Sequence, residues 1–289
     1  MKLYRYISFE EFVNLLTTKA MHYSCPTKWE DTYEGYMFRS LDDVSHRTEL
    51  LKRMWNEIPS NIPDFEKALS ILKNYCKIAY ARYHWYGQCW TREANENDAF
   101  WRIYSYGKRS IRISTTDDSL WELFPTDNYY RAKKSIQYDA ASGKEFLNIQ
   151  FDATLQTKST NECFFHKRIA FEHEKEYRIL VSPKGENNSL GIIYNMSRLA
   201  LHLKWNEIHP DSMEDCIHIL LDVLQTTVVD AVTMGHQAEG IDVAVHNLES
   251  FVESVLVHPM AADWYTKLVE QLCAQHNLPF NGQSTLYKN

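Results

Sequence analysis

The stretch AFEHEKEYRILVS, residues 170–182, constrains the fold more than any other part of the chain. Period-two spacing is the strand period. An extended segment here puts Glu172, Glu174, Glu176 and Arg178 on one face and His173, Lys175, Tyr177, Ile179 and Val181 on the other. The second face reads as core. Two readings of the first face stand side by side. In one it is the solvated side of an antiparallel strand, with weak surface pairs between Glu176 and Arg178. In the other it is a site, because crowded carboxylates hold perturbed pKa values only where something compensates them.

The 289 residues suffice for one large domain or two smaller ones, and 44% hydrophobic content is ample for a core. With 31 basic and 38 acidic residues the net charge is −7, which excludes an overall electrostatic footprint for nucleic acid or anionic membrane. The cysteines, Cys25, Cys76, Cys89, Cys163, Cys216 and Cys273, form no C-x-x-C pair. No metal site is expected, and reduced cytoplasmic thiols fit best. The opening MKLYRYISFEEF lacks a signal-peptide core, and no run approaches the ~20 apolar residues of a membrane span.

KLYRYIS reads as a strand that feeds a helix capped by Ser8 with Glu11 three residues on. MHYSCP reads as a second strand, followed by the loop TKWEDTYEG. Residues 41–80 carry two helical patterns separated by PSNIP and read as a helical insertion. GQCWT and RSIRISTT read as strands around the helix NENDAFWRIYS, residues 127–139 as a strand region, and SGKEFLNIQFDATLQTKS as a helix. PKGENNS reads as a turn. Residues 190–289 read as an α/β C-terminal part: SMEDCIHILLDVLQ and AADWYTKLVEQLCAQHN as helices, TVVDAVTMG and FVESVLVHP as strands. With no repeat and no long linker, the expectation is one integrated α+β domain over 1–289, built on a mixed, largely antiparallel sheet.

The segments LYRYISFEEFVNLL, YSCPTKWEDTYEG, CWTREANENDAFWRIYSYGKRSIRIST, KRIAFEHEKEYRIL and VLVHPMAADWY together resemble a bacterial domain-of-unknown-function family, number twenty-nine seventy-one. Its members show an L-Y-K-Y-like opening, an S-x-P-x-x-[FW]-N-D-P-[FY]-E-G loop, a W-x-x-Y before a strand and an F-x-x-E-x-E-x-R strand. The chain departs from that pattern at Glu30 and Thr32, where the family usually has Asn and Pro.

A second resemblance bears on chemistry. Arg5, then Ser114-Thr115-Thr116, then Glu174-x-Glu176 look like the Arg, Ser-Thr-Ser and Glu-x-Glu pattern of ADP-ribosyltransferases, in the same chain order. That resemblance implies an ADP-ribosyltransferase-like fold and NAD as substrate, with no metal. Arg5 would hold the phosphate or ribose. Ser114, Thr115 and Thr116, joined by Tyr104, would organise the dinucleotide pocket. Glu176 would stabilise the cationic anomeric carbon as the nicotinamide bond breaks, and Glu174 would serve as base toward the acceptor. The acceptor would be a protein, a nucleic acid or water, and a toxin or antiphage role would suit such an activity.

Each residue also has a plain structural role open to it. Arg5 pairs with a surface carboxylate, Ser114–Thr116 cap the helix DDSLWELF, and Phe100, Trp101 and Tyr104 fill core. The competing function is a non-catalytic module that contacts nucleic acid or a partner protein through Lys108, Arg109, Arg112, Arg131, Lys133 and Lys134. A metal nuclease using Glu174, Lys175 and Glu176 is weaker, since Lys175 faces away from the glutamates on a strand. His22, His166 and His173 read as structural.

Overall fold

The computed structural model describes residues 1–103, 107–184, 187–229 and 239–287. The N-terminal part runs β1 (Lys2–Ile7), α1 (Phe9–Thr18), β2 (Ala20–Ser24), α2 (Tyr36–Ser40), α3 (Val44–Glu57), α4 (Asp64–His84), β3 (Tyr86–Thr91), α5 (Asp98–Ile103) and β4 (Ile111–Thr116). It continues through α6 (Asp117–Glu122), β5 (Tyr129–Ser135), β6 (Gln137–Asp139), α7 (Gly143–Thr157), β7 (His166–Arg168), β8 (Glu176–Pro183), α8 (Asn187–Ile208) and α9 (Met213–Leu224). The last elements are β9 (Gly240–Ala244), α10 (Leu248–Phe251), β10 (Ser254–Val257), α11 (Asp263–Gln275) and β11 (Phe280–Gln283).

Local chemistry sets the first turn of this path. Ser8 accepts from the Glu11 amide at 3.1 Å and the Glu11 carboxylate accepts from the Ser8 amide at 2.8 Å, the capping box its sequence predicts. Lys19 then closes α1 in the left-handed region at φ 51, which turns the chain straight into β2.

The fold is mixed α+β around a largely antiparallel sheet. Among the described residues nine strands join in one sheet, along the path β11-β10-β4-β1-β3-β2-β9, with β8 on β3 and β5 on β8. Only the β10–β11 pair in it is parallel. β6 and β7 form a separate parallel pair.

The sheet branches at β3. One edge of β3 pairs with β8 along its whole length, from Tyr86↔Val181 to Thr91↔Glu176. The other edge meets two strands at one residue each, β1 at Tyr4↔Thr91 and β2 at Ser24↔Gly87. Between these two points Gln88, Cys89 and Trp90 have no strand pairing on that side. The gap is the feature that positions the site.

Two apolar cores lie on the two faces. One is helical, built from α3, α4, α7, α8 and α9, and takes Leu180 from β8. The other takes Tyr177, Ile179 and Val181 from the same strand, with Leu15 and Leu16 of α1 and Val269 of α11. β8 is therefore a central strand, buried on both faces. The two helical patterns expected within 41–80 are present as α3 and most of α4. Residues 190–289 divide between the cores: α8 and α9 pack on α4, whereas β9 extends the sheet beside β2 and β10 beside β4.

Three expectations need correction. Residues 170–174 are not strand. Ile169–Glu174 form a 3-10 turn and Lys175 takes the left-handed region at φ 41, so the strand begins at Glu176 and Glu172 and Glu174 do not share its face. The opening of TVVDAVTMG is helical, because Gln225 keeps helical angles and Gln225–Val229 prolong α9 as a π turn; residues 230–238 lie outside the described residues. The end of PKGENNS also differs from a plain turn, since Asn187–Ser189 open α8.

Candidate functional site

The apolar strand β8 carries two charged residues that its neighbours completely enclose. Arg178 is 0% and Glu176 4% exposed, so the solvated-face reading fails here. A charge taken out of water must be paired and hydrogen-bonded, and Arg178 is. Its guanidinium donates from Nη1 to Glu34 Oε2 at 2.8 Å and from Nη2 to Glu34 Oε1 at 2.9 Å, a two-pronged fork. Nε donates to Glu176 Oε1 at 2.7 Å, and Nη1 also reaches the Phe164 carbonyl. The Trp29 ring covers the guanidinium, 4.5 Å from its centroid.

Lys167 supplies the second cation. Its ammonium lies 2.6 Å from Glu174 Oε2, 3.4 Å from Glu176 Oε2 and 3.6 Å from Glu34 Oε1. β7 brings it there through the pairing Tyr138↔Lys167. The Tyr138 hydroxyl accepts from the Glu176 amide at 2.8 Å and so ties β6 to the start of β8. The left-handed Lys175 turns Glu174 back toward Lys167, which an unbroken strand would not do. Three carboxylates, Glu34, Glu174 and Glu176, thus surround two cations, leaving one formal negative charge. Lys167 sits among the carboxylates, and among the described residues no group of three or more His, Cys, Asp or Glu is placed to hold a metal ion.

The charges set one another's proton affinity. Burial opposes ionisation of Glu176, but Arg178 and then Lys167 outweigh it and hold its carboxyl below the usual range. Burial pushes Glu34 up, against the pull of Arg178. For Lys167 burial is the largest influence and favours the neutral amine, yet Glu176, Glu34 and Glu174 together raise its pKa and keep it charged. Burial, with the Glu176 charge added, drives the Cys89 thiol well above its ordinary value. Tyr138 is pushed up to about 12, mainly by burial.

Glu34 arrives on a loop fixed by backbone carbonyls. Arg39 donates to the carbonyls of Thr27, Thr32 and Glu34 at 2.6, 2.6 and 2.8 Å. Arg168 bonds Asp31 at 2.9 Å and stacks on Tyr33. Trp29 Nε1 donates to Ser24 Oγ at 2.6 Å, and the ring lies against Gly87, where a Cβ would meet it at 3.2 Å. Gly35 turns the chain at φ 62 into α2.

The cluster forms one wall of a cavity of about 630 Å³ that fills the gap between β1, β2 and β3. Arg5, Glu174 and Glu176 all line it, together with Tyr4, Trp29 and Cys89. Tyr4 lies opposite Thr91 and Thr91 opposite Glu176, so Tyr4 and Glu176 share a face of the sheet and Arg5 leaves β1 toward the other. Arg5 and Glu176 therefore meet one cavity only because the sheet is open between their strands. Arg5 itself pairs with Glu11 at 3.5 Å.

The Ser-Thr stretch is elsewhere. Ser114 bonds Ser254 Oγ, Thr115 is fully buried, and Thr116 caps α6 by accepting from the Ser119 amide at 3.0 Å. None of the three lines the cavity. Tyr104 lies outside the described residues. Phe100 and Trp101 are buried against Tyr6, as their helical spacing predicts. His22 pairs with Asp242, His166 with Asp139, and His173 contacts the Ala170 carbonyl.

The two basic segments do not form one patch. β4 and β5 are separated by β1, β3 and β8. Arg112 is buried over Tyr4 and donates to the Ala94 carbonyl at 2.7 Å; Arg131 donates to Phe124 O, Lys133 pairs with Asp117 and Lys134 with Glu162. Lys175 points to Glu93, away from the carboxylate cluster.

Glu34, Lys167 and Trp29 are the site residues that period and chain order did not pick out, and the period puts Arg178 on the right face without its buried partner. The signal was an arginine inside the apolar run Tyr177–Val181, a charge that requires a buried partner. Residues 100–179 match the family model described as Protein of unknown function (DUF2971). That match bears out the family resemblance. The DUF2971 segment holds Lys167, Glu174, Glu176 and Arg178, while Trp29, Glu34 and Arg5 come from outside it. No curated protein and no solved structure matches the chain. No helix among the described residues is long and apolar enough to cross a membrane.

Proposed function

We propose that the chain is an ADP-ribosyltransferase-like enzyme that cleaves NAD in the cavity between β1 and β3 and passes ADP-ribose to a macromolecule or to water. The observation that carries this reading is that Arg5, Glu174 and Glu176 line one cavity although 171 positions separate the first from the last. Its volume is in the ordinary range for small-molecule sites.

In this reading Arg5 and Lys28, both on the cavity wall, meet the diphosphate. Tyr4, Tyr6 and Trp29 supply the aromatic surface, since Ser114–Thr116 are not there to do so. The glycosidic C–N bond breaks with its electron pair leaving on neutral nicotinamide. Positive charge builds on the anomeric carbon, and the surplus negative charge of the carboxylate cluster stabilises it in a site where no reorganisation is needed. Glu176, fixed by Arg178, is the electrostatic group. Glu174, 21% exposed in its side chain, is the more reachable carboxylate; it takes the proton of the attacking hydroxyl or water as the new C–O bond forms. The scattered unpaired thiols fit a cytoplasmic setting.

The test is titration calorimetry with NAD alongside chromatographic detection of free nicotinamide, using wild type and Arg5→Ala. Saturable binding weakened by Arg5→Ala, with nicotinamide release, supports the reading. Absence of both with the folded wild-type protein removes it.

A further inference from the structure

Helix α8 presents two unlike faces. Ile193, Ser197 and Leu201 are buried, and the two apolar residues join the helical core against α4 and α9. Turned well away from them, Ile192, Met196, Leu199 and Leu203 are 60%, 57%, 62% and 61% exposed. Their spacing is four, three, four, so they form one straight stripe along three turns. That is also the seam spacing of two helices packed side by side. The stripe is flanked on one side by Asn195, His202 and Asn206 and on the other by Ala200, with Glu207 at its C-terminal end.

We infer that this stripe is the interface of a two-fold symmetric dimer in which α8 packs antiparallel on α8 of a second copy. The stripe complements itself in that arrangement. Residue 192 lies opposite 203 and 196 opposite 199, so apolar side chains of similar size meet throughout and no like charges oppose each other in the seam. The four side chains expose roughly 450 Å² per copy, about 900 Å² for the pair, against the ~1,200 Å² at which specific interfaces begin. That places the pair among small, transient interfaces, which matches a dimer that dissociates on dilution. A contiguous patch of this size matches the largest on typical monomers, and such patches are often functional.

The experiment is analytical ultracentrifugation of the full chain across the micromolar range. Wild type should sediment at twice its 34.1 kDa chain mass, dissociating on dilution. The variant Leu199→Glu/Leu203→Glu should be monomeric with unchanged circular dichroism, because both side chains are exposed. Orientation is read by disulfide trapping. Ile192→Cys/Leu203→Cys should oxidise to a covalent dimer, while Ile192→Cys alone should not, since the two copies of residue 192 would lie ~16 Å apart. A wild-type monomer at all concentrations, or a dimer indifferent to Leu199→Glu/Leu203→Glu, overturns the proposal. So does a monomer that pellets with phosphatidylcholine vesicles, which would assign the stripe to a lipid surface. Equal trapping by the single and double cysteine variants overturns the antiparallel arrangement.

Discussion

Arg178 and Glu34 meet through two parallel hydrogen bonds of 2.8 and 2.9 Å, with 144 positions of chain between them. Two loop and strand motifs that look independent in the sequence, the E-G loop and the E-x-E-x-R strand, are the halves of one buried ion cluster.

Removing one half strands the other. Arg178→Ala leaves Glu34 and Glu176 buried without their main counter-charge, and the expected loss is about 3–5 kcal/mol of unfolding free energy. Urea denaturation measures it. Arg178→Lys should recover little, because a single ammonium cannot reproduce the fork to Glu34 together with the bond to Glu176. Recovery of most of the loss by lysine would show that charge alone suffices.

Glu176→Gln tests chemistry and structure separately. The amide loses a charge-assisted bond from Arg178 Nε, a cost of roughly 1–3 kcal/mol, yet it brings the cluster to two carboxylates and two cations. The chain should stay folded. Nicotinamide release should fall by ~10²-fold or more if the carboxylate stabilises the developing cation. Equal release by two equally folded proteins would rule out that role.

The same carboxylate has a pH signature. Its folded pKa is depressed below the ordinary value of 4.5, so the stability it contributes is present above that value and lost as pH falls through the folded pKa. Acid should destabilise wild type more steeply below about pH 4.5 than it destabilises Glu176→Gln. Thermal melts of the two proteins at a series of acidic pH values give the comparison, and parallel curves would contradict it.

Gly87→Ala should disturb the site from the opposite side of Trp29. The added Cβ would come within 2.9 Å of Leu180 Cδ2 and 3.2 Å of the Trp29 ring. Overpacking of that kind costs typically about 1–3 kcal/mol. It should also shift Trp29 off Arg178, visible as a change in tryptophan emission of the folded protein.

The local elements were the readable part. Ser8 and Glu11 cap α1 as their spacing requires, and the helices at 44–57, 64–84 and 263–275 follow their apolar periods. β8 was readable as a strand but not as a central one, because Glu176 and Arg178 look identical in sequence whether they face water or each other. What decides it is Glu34, and nothing local to residue 34 announces a partner at 178. The turn at Glu174 was not readable for a related reason: its carboxylate finds its partner in Lys167 on another element, a tertiary effect. α8 has apolar residues on two sides, which blurs the amphipathic signal that marks a helix.

The branch point at β3 also governs when the cavity comes into being. Its walls come from residues near 5, 29, 34, 88, 167 and 176, so no hairpin or single helix pair encloses it. Closing such distant segments costs chain entropy before the contacts reward it, and β1 and β2 each hold β3 by one residue pair. In the helical layer the pairs α3–α4 and α8–α9 join neighbouring segments, and each helix forms from local bonds. Refolding should therefore show helical ellipticity ahead of the Trp29 signal, and the pocket would be the last part of the molecule to exist.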